Sequence, residues 1–442
     1  MGTTDLTAYS PRLLLQWQAD APSETHRAVD GTLVFADVSG FTRLSERLAR
    51  TRGRAGAEEM CDIINALFDD LLTCAARRGG EMLKYGGDAA LLFFRGDDHA
   101  LRAVAGAHDM QVRLREIGRV ETGTGAVRLR MSVGMHTGMF DLFKVGRRHQ
   151  ELIVAGPATT ETVRMEAAAD AGEILVSEST AAAIASRNVG TAKEGGRLLR
   201  GAPAAPTIDI VPSAPSPHAD RFVAPALGAY LAGDVDPDHR LATVAFVHIM
   251  GIDRALSDVG PAHVATALDE TLTVVQSSLE DFGVTFLATD LAADGTKVMA
   301  AAGAPLAGDD DERRMLLALR RMVDADTPLP LRAGVNRGHV FAAPVGPHFR
   351  KTFTTLGDVT NTAARVMAKA GPGEVLTLAP VLDHVRVPVD AVELAPFVAK
   401  GKAEPLVAHR VDVVHETSTG ADALPPRLPL TGRDLELDTL LG

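Results

Sequence analysis

The chain contains the sequence YGGDAALLFF at residues 85–94, in which a glycine turn carrying Asp88 leads directly into a continuous apolar strand. A second apolar segment, TLVFA at residues 32–36, runs into Asp37 in a similar way. Hard divalent cations take oxygen ligands, and Mg²⁺ in nucleotide sites is usually held by one or two carboxylates while phosphates complete its coordination. Asp37, its neighbour Val38 and Asp88 therefore form our candidate metal site.

A short turn follows the first of these strands. Ser39 and Gly40 lead into a predicted helix that begins with Phe41 and Thr42. Free backbone N–H groups at the start of a helix favour phosphate binding. We therefore predict that these four residues contact the phosphates of a substrate.

Composition limits the classes of partner. The chain has 442 residues, 46% of them hydrophobic, which suggests two to three globular domains. It carries 57 acidic and 45 basic residues, a net charge of −12, which argues against nucleic acid or an anionic membrane surface as the main partner. The sequence has no run of about 18 apolar residues and no signal-peptide pattern, so we expect a cytoplasmic protein without a membrane span.

The order of predicted elements occurs twice. Residues 201–217 are rich in proline, which is typical of a linker. Beyond them the pattern returns: Gly134 and Gly334 lie 200 residues apart in similar segments, and Gly156 and Gly357 lie 201 apart. We therefore predict an α+β protein with two tandem ferredoxin-like (βαββαβ) domains.

The predicted elements of the first domain define its layers. We predict strands at 31–37, 81–85, 89–94, 127–137, 139–145, 150–155 and 173–177, and helices at 8–18, 41–50, 56–78, 97–117 and 158–169. The helices should cover one face of a mainly antiparallel sheet and leave the other face free for a partner. The predicted segments are an N-terminal helical extension (1–30), the first domain (31–196), a linker (197–236), the second domain (237–415) and a tail (416–442).

The two copies differ at the acidic positions. In our alignment Asp37 corresponds to His248 and Asp88 to Gly295, so the second copy cannot build the same two-carboxylate site.

The second copy has polar groups of its own. Its predicted helix at 358–370 carries Asn361 and Arg365, which share one helix face because they are four residues apart. The first copy has Thr160 and Arg164 at these positions. One site assembled across the two copies would combine metal-binding acids with an amide and a guanidinium, whose fixed donors suit phosphate oxygens.

These segments resemble the class III nucleotidyl cyclases, especially the soluble bicarbonate-responsive adenylyl cyclases with tandem catalytic domains. The resemblance covers residues 31–412 and rests on FADVSGFT (35–42), KYGGD (84–88), NTAAR (361–365) and FVAKGKAEP (397–405). It implies two cyclase homology domains that form an intramolecular pseudo-heterodimer within a monomeric chain.

The resemblance also assigns roles. The two strand-end acids would bind two Mg²⁺ (or Mn²⁺) ions, which stabilise the attacking and leaving oxygens. Asn361 would orient the ribose, and Arg365 would meet the charge that develops on the α-phosphate. Lys400 or Lys402 would contact the outer phosphates, or each would be a solvated loop lysine.

Base preference depends on other positions. Adenine-selective members of the family carry a Lys in the second copy and an Asp or Thr seven residues before Asn361. Thr354 fits the second position, whereas Leu291 stands where our alignment with Lys84 places the lysine. Asp290 is the candidate base contact in its place, with Thr289 as the alternative. Analogy favours ATP, with GTP as the alternative.

The mirror-related half of the interface would contain Lys84 and Arg164 and no metal-binding acid. By resemblance to the bicarbonate-responsive enzymes we predict bicarbonate as an activator there. The alternative is that both cations form salt bridges with neighbouring acids.

A second functional class stays open. The sequence LTGRDLE at residues 430–436 resembles the start of a P-loop ATPase region that follows tandem cyclase domains in large signalling regulators. The chain would then be a catalytically weak or inactive cyclase-like module that controls such a region.

Overall fold

The computed structural model describes residues 5–41, 43–44, 47–48, 55–86, 89–123, 125–210, 213–233, 238–398 and 404–415. Five predicted features lie outside these described residues: Thr42, Asp88, Lys400, Lys402 and the tail at 416–442.

The first unit follows a 3-10 turn at Thr7–Tyr9. Its strands are β1 (His26–Ser39), β2 (Glu81–Gly86), β3 (Ala89–Arg95), β4 (Arg119–Thr122), β5 (Gly125–Arg128), β6 (Arg130–Val145), β7 (Glu151–Ala155), β8 (Ile174–Ser177), β9 (Val189–Lys193) and β10 (Gly196–Leu199). Its helices are α1 (Arg12–Asp20), α2 (Ala55–Arg77), α3 (His99–Ile117), α4 (Pro157–Ala168) and α5 (Glu178–Ala182).

The second unit follows a linker that contains helix α6 (Pro225–Leu231). Its strands are β11 (Asp238–Met250), β12 (Thr285–Ala292), β13 (Gly295–Ala302), β14 (Leu331–Val345), β15 (Thr352–Leu356), β16 (Val375–Leu378), β17 (Val389–Glu393) and β18 (Ala408–Val414). Its helices are α7 (Ile252–Val259), α8 (Pro261–Asp281), α9 (Asp311–Asp324), α10 (Asp358–Met367) and α11 (Ala379–Leu382).

The two units have the same sheet topology. The first sheet has the order β2-β3-β1-β6-β8-β10-β9, with β7 paired to β6, and the second has the order β12-β13-β11-β14-β16-β18-β17, with β15 paired to β14. Within the described residues, the strands of these two sheets pair antiparallel except for the parallel pairs β6–β8 and β14–β16. The predicted α+β fold with two tandem cyclase-like domains is confirmed, whereas the exact domain boundaries stay predictions.

The strand registers confirm the main alignment of the copies. Phe35 pairs with Gly134 on β6, and Phe246 pairs with Gly334 on β14. His248 is therefore the structural counterpart of Asp37, since both follow these phenylalanines by two positions.

One predicted break in a strand is wrong. The segments 127–137 and 139–145 belong mostly to the single strand β6, which pairs with β1 from Arg130 to Phe143. Gly138 does not interrupt it, because Gly138 lies opposite Gly31 and both lack side chains. The hairpin of β4 and β5, the edge strand β9 and its neighbour β10 were not predicted from the sequence.

Alternate residues of β1 pack on different partners. Leu33 and Phe35 belong to an apolar cluster that also contains residues of the second unit, such as Phe246. Val34 and Ala36 belong to the cluster beneath the helices of the first unit. The free sheet face expected for a partner is thus covered by the second unit of the same chain.

Two equivalent glycines provide a test of the helix–sheet packing. A Cβ atom added at Gly134 would lie 2.0 Å from the backbone nitrogen of Glu166, and one at Gly334 would lie 2.0 Å from that of Met367. Since backbone must move to relieve such a clash, we expect Gly134→Ala and Gly334→Ala each to lower the free energy of unfolding by about 2 kcal/mol or more. Urea denaturation measures this change.

The control for this experiment is Gly201→Ala. A Cβ atom at Gly201 would meet no atom within 4 Å. A Gly134→Ala variant as stable as this control would contradict the close packing of β6 on α4.

Candidate functional site

A cleft of about 440 Å³ lies between the two units and is lined by four of the candidate residues. The first unit contributes Asp37 to its lining, and the second unit contributes Asp290, Asn361 and Arg365. The structure therefore brings together, from opposite units, residues that the sequence places more than 250 positions apart.

Asp37 reaches the cleft through the alternation of β1. It lies opposite Ala89 on β3 and Ser132 on β6 and is half-buried. Successive side chains of a strand point to opposite faces, so Asp37 shares the face of Leu33 and Phe35 that meets the second unit.

Val38 faces the other way and is 1% exposed within the core of the first unit. Its side chain cannot bind a metal, so its main-chain carbonyl is the only ligand that it offers. Within the described part of the chain, His, Cys, Asp and Glu side chains form no group of three or more that could hold a metal ion. The second predicted acid, Asp88, lies outside that part.

The turn after Asp37 has the predicted form. Gly40 has a φ of 109°, in the left-handed region that favours glycine. Ser39 Oγ donates to the Arg130 carbonyl at 3.3 Å. Phe41 is 8% exposed and packs its ring on that of Phe68, so its side chain belongs to the core and only its backbone is suited to bind phosphate.

Helix α10 carries the two polar residues of the second unit. Asn361 and Arg365 both line the cleft, as their four-residue spacing predicts. Arg365 is half-buried and forms no salt bridge with any residue that the structure describes. A guanidinium in this position is available to an anionic ligand.

Lys297 is a functional candidate that our sequence reasoning missed. It lines the cleft, and its amine lies 2.9 Å from the Asp290 carboxylate on the neighbouring strand. Lys297 is the only charged residue in the apolar strand β13, and this was the signal available in the sequence.

The strand registers correct two positions of our alignment: Lys84 pairs with Leu91 and Ala288 with Met299, and both copies have a bulge at the same place. The pairing of β2 with β3 shifts between Met82 and Lys84, and that of β12 with β13 shifts between Phe286 and Ala288. The counterpart of Lys84 is therefore Ala288, not Leu291.

The position aligned with Asp88 also changes. Ala89 pairs with Asp37, and Lys297 pairs with His248. The position after Asp88 thus corresponds to Lys297, which aligns Asp88 with Thr296 rather than with Gly295. The second copy still has no acid there.

Thr354 does not line the cleft. Its side chain is fully buried on β15, and its hydroxyl has no hydrogen-bond partner among the described residues. The neighbouring Thr355 instead exchanges a hydrogen bond of 3.1 Å with Thr360 at the start of α10. Direct base recognition by Thr354 has no support in this geometry.

His248 gives the second unit different chemistry at the position of Asp37. It is 5% exposed, and Arg332 Nε donates to its Nδ1 at 3.1 Å. Burial, with the nearby charges of Arg332 and Lys297, lowers the pKa of His248 to about 4. A neutral imidazole between two cations is a poor ligand set for a second metal site.

The two cations predicted to form an anion pocket have internal partners. Lys84 is buried, donates to the Thr289 hydroxyl and lies 3.8 Å from the Glu151 carboxylate. Arg164 is exposed and binds Glu161 through two hydrogen bonds of 2.9 and 2.7 Å. The salt bridges that we considered as the alternative are therefore present.

The buried pair has opposed pKa effects. Burial lowers the pKa of Lys84, although Glu151 favours its charged form. Burial disfavours the charge of Glu151, but His149 and Lys84 hold the pKa of this carboxyl below its ordinary value. Beside Lys84, the remaining cavity of about 70 Å³ is lined by residues such as Tyr9 and Leu14 from the N-terminal segment and Phe222 from the linker.

Residues 23–207 match the family described as the adenylate and guanylate cyclase catalytic domain. This match covers 185 of the 442 residues, so it describes the first unit and not the whole chain. In sequence it is similar to human adenylate cyclase type 10, with 23% identity over 151 residues, 34% of this chain and 9% of the relative. The rat protein of the same name is 24% identical over 178 residues, 39% of this chain and 11% of the relative. The matching region thus spans only about a tenth of the length of these relatives.

A solved structure extends the similarity to both units. The fold is similar to that of a class III adenylyl cyclase-like ATP-binding protein from Pseudomonas aeruginosa, with a TM-score of 0.56 and 13% identity over 81% of this chain and 85% of that chain. At this identity the similarity shows the fold of the tandem cyclase pair.

The helices in the described part of the chain include none with the length and apolar character needed to cross a membrane.

The buried histidine generates a pH prediction. His248 is neutral in the folded protein but binds a proton in the unfolded chain between pH 6.5 and about 4. The unfolded state holds more protons in this range, so the free energy of unfolding should fall as the pH is lowered through it, by up to about 1.4 kcal/mol per pH unit. His248→Gln should lose this contribution in urea denaturation at about pH 7 and about pH 5.

The matched control is His263→Gln, which changes an exposed histidine on α8. It should keep the pH dependence of the wild type. If His248→Gln loses as much stability on acidification as the control does, His248 is not held neutral by the fold.

Proposed function

We propose that the chain is a nucleotidyl cyclase that converts ATP to 3′,5′-cyclic AMP and pyrophosphate in the cleft between its two units. One observation carries this proposal: Asp37 of the first unit and Asn361 and Arg365 of the second line the same cleft. Because both halves of the cleft come from one chain, a monomer suffices for the activity, and we place it in the cytoplasm.

The donor set in the cleft fits a hard divalent cation. Asp37 offers a half-buried carboxylate at the end of a strand, next to the main-chain carbonyl of Val38. We propose that Asp88 completes the set and that two Mg²⁺ or Mn²⁺ ions bind there. When bound, the ions supply Lewis-acid stabilisation of the attacking and leaving oxygens.

The remaining side chains position the substrate. The backbone of residues 39–42 binds phosphate oxygens, and Asn361 hydrogen-bonds the ribose. Arg365 has no described carboxylate partner, so its charge is available to the α-phosphate in the transition state. Lys400 and Lys402 contact the outer phosphates in this proposal.

We assign recognition of the base to the ion pair of Lys297 and Asp290 in the cleft. Ala288 has replaced the lysine expected from the family and offers no hydrogen bond. The Lys297 amine and the Asp290 carboxylate together provide one donor and one acceptor. Adenine presents a complementary acceptor and amino donor, and the adenylate cyclases among the similar relatives support ATP over GTP.

A second function has its own support. The protein of similar fold is described as ATP-binding and cyclase-like, and this chain lacks the lysine at position 288. A module that binds nucleotide without turnover, and controls a C-terminal region, is therefore the alternative. A guanylate cyclase is the other.

Activation by bicarbonate at Lys84 and Arg164 stays a prediction from the family resemblance. Glu151 and Glu161 already supply negative partners to these cations.

Detection of the cyclic product by mass spectrometry tests the main proposal. Purified protein should form cyclic AMP from ATP with Mg²⁺ or Mn²⁺, and Asp37→Asn should reduce the product to background because the metal site loses a carboxylate. Arg365→Ala should lower kcat about 100-fold or more while changing nucleotide binding less, since its charge acts in the transition state.

Each variant has a matched control. Asp30→Asn changes an exposed acid on the same strand, and Arg164→Ala changes the counterpart of Arg365 in the first unit. Both should keep the activity that is measured in the absence of bicarbonate. An active Asp37→Asn variant would refute the site, whereas nucleotide binding without any product would favour the regulatory module.

Lys297→Met tests the assignment of base recognition. Loss of a charge-assisted hydrogen bond to the base should lower kcat/KM for ATP about 10-fold or more, with a different effect on GTP. Lys193→Met, which changes a half-buried lysine that pairs with Asp170 and Glu173 outside the cleft, is the control. Equal losses with ATP and GTP would show that Lys297 does not read the base.

A further inference from the structure

A second cavity, of about 330 Å³, lies away from the inter-unit cleft. The residues around it come from α1, the turn before β2, the end of β3, the linker and the second unit. Its volume is in the range of small-molecule sites, roughly 300–1,000 Å³. It shares no lining residue with the candidate cleft.

Four guanidinium groups line this cavity in a chain whose net charge is −12. They belong to Arg12, Arg95, Arg102 and Arg350. The acidic residues in the lining are Glu81 and Asp209, which leaves an excess of two positive charges.

The hydrogen-bond partners of these arginines are neutral oxygens. Arg95 Nη2 donates to the Gln16 side chain at 2.8 Å. Arg102 donates to the main-chain carbonyls of Asp97 at 3.0 Å and of Arg95 at 2.6 Å. No carboxylate of a described residue forms a salt bridge with any of the four guanidiniums, so their charge is not neutralised by direct pairing.

Arg350 connects the second unit to this site. It is 7% exposed, and it donates to the carbonyls of Met82 and Leu83 in the first unit, at 3.1 Å each. Burial lowers the pKa of Arg350 to about 10, although Glu81 and Glu151 favour its charge. The group remains protonated at neutral pH, and a buried cation without a direct counterion is costly.

Glu81 is only a partial counterion. One of its carboxylate oxygens accepts the backbone N–H of Leu13 in the first turn of α1, at 2.6 Å. Burial raises the pKa of Glu81 despite this bond and the nearby arginines. One oxygen of the Glu81 carboxylate is thus already bound to the first turn of α1.

A buried hydroxyl provides an independent observation. Ser10 is 3% exposed and lines the cavity, and its Oγ has no hydrogen-bond partner among the described residues. Buried polar groups are normally satisfied, so an orphaned hydroxyl beside several guanidiniums indicates a missing oxygen ligand.

We propose that this cavity binds a small phosphate-bearing anion. Guanidinium groups donate paired hydrogen bonds that match phosphate oxygens, and Ser10 adds a hydroxyl donor. The bound anion would contact the N-terminal helix, the first unit and Arg350 of the second, so it would hold these three parts together. The site is independent of the proposed cyclase activity.

Isothermal titration calorimetry on the full chain, with chelator present to remove divalent metal, tests the proposal. The probes are orthophosphate, pyrophosphate and AMP, which separate inorganic from organic sources of the phosphate. At least one should bind, and Arg95→Met and Arg12→Met should each weaken binding about 10-fold because a charge-assisted hydrogen bond is lost. Both residues are solvent-exposed, which favours normal folding.

Two controls separate this site from other anion binding. Arg187→Met removes an exposed positive charge elsewhere, and Arg365→Ala alters the inter-unit cleft. Both variants should keep the binding that Arg95→Met and Arg12→Met weaken, and any binding that only Arg365→Ala removes belongs to the inter-unit cleft. Absence of binding by all three probes would overturn the proposal, and so would binding that Arg365→Ala abolishes while Arg95→Met leaves it unchanged.

Discussion

Strand β1 packs two different surfaces with alternate residues, and the site depends on this alternation. Leu33 and Phe35 pack in the cluster that continues into the second unit, whereas Val34 and Ala36 pack beneath the helices of the first. Because the side-chain period of a strand is two, Asp37 must join the first set. The alternation that buries the apolar residues of β1 therefore also places the Asp37 carboxylate in the inter-unit cleft. A shift of one residue in register would disrupt both the core packing and the position of this carboxylate.

A duplicated fold can form two equivalent clefts between its units, and in this chain the two clefts contain different residues. In one, Asp37 faces Asn361 across the units. In the other, Thr160 occupies the position of Asn361, and its hydroxyl accepts the backbone N–H of Asp294 at 2.9 Å. Lys84 is similarly engaged with Thr289 of the second unit. Residues at the degenerate side thus hold the units together. Breaking a buried pair is strongly destabilising, so such contacts resist change once they form.

The sequence predicts the fold through long periodic segments and repeated glycines, because burial and close backbone approach constrain them strongly. Gly134 and Gly334 align correctly since a helix backbone lies against each. The alignment fails at β12 and β13 because their hairpin is four residues longer than that of β2 and β3: Lys84 pairs with Leu91, whereas Ala288 pairs with Met299. Our alignment also placed β13 one residue out of register, which matched Lys297 with Ala90 instead of Ala89 and hid it as a cleft residue. Thr354 lies buried outside the lining of the cleft, since a sequence offset gives spacing along the chain but not the direction of the side chain.

Joining both units in one chain explains how this asymmetry can exist. In a symmetric homodimer every substitution is made twice, so a histidine in place of Asp37 would remove the acid from both clefts. In a tandem chain His248 changes one unit alone, and the other cleft keeps its carboxylate. The covalent link also keeps the partner unit at a high effective concentration, so assembly of the cleft does not depend on protein concentration. The side of the interface with Lys84 can then hold the two units together, while the cleft with Asp37 keeps the polar groups that suit nucleotide chemistry.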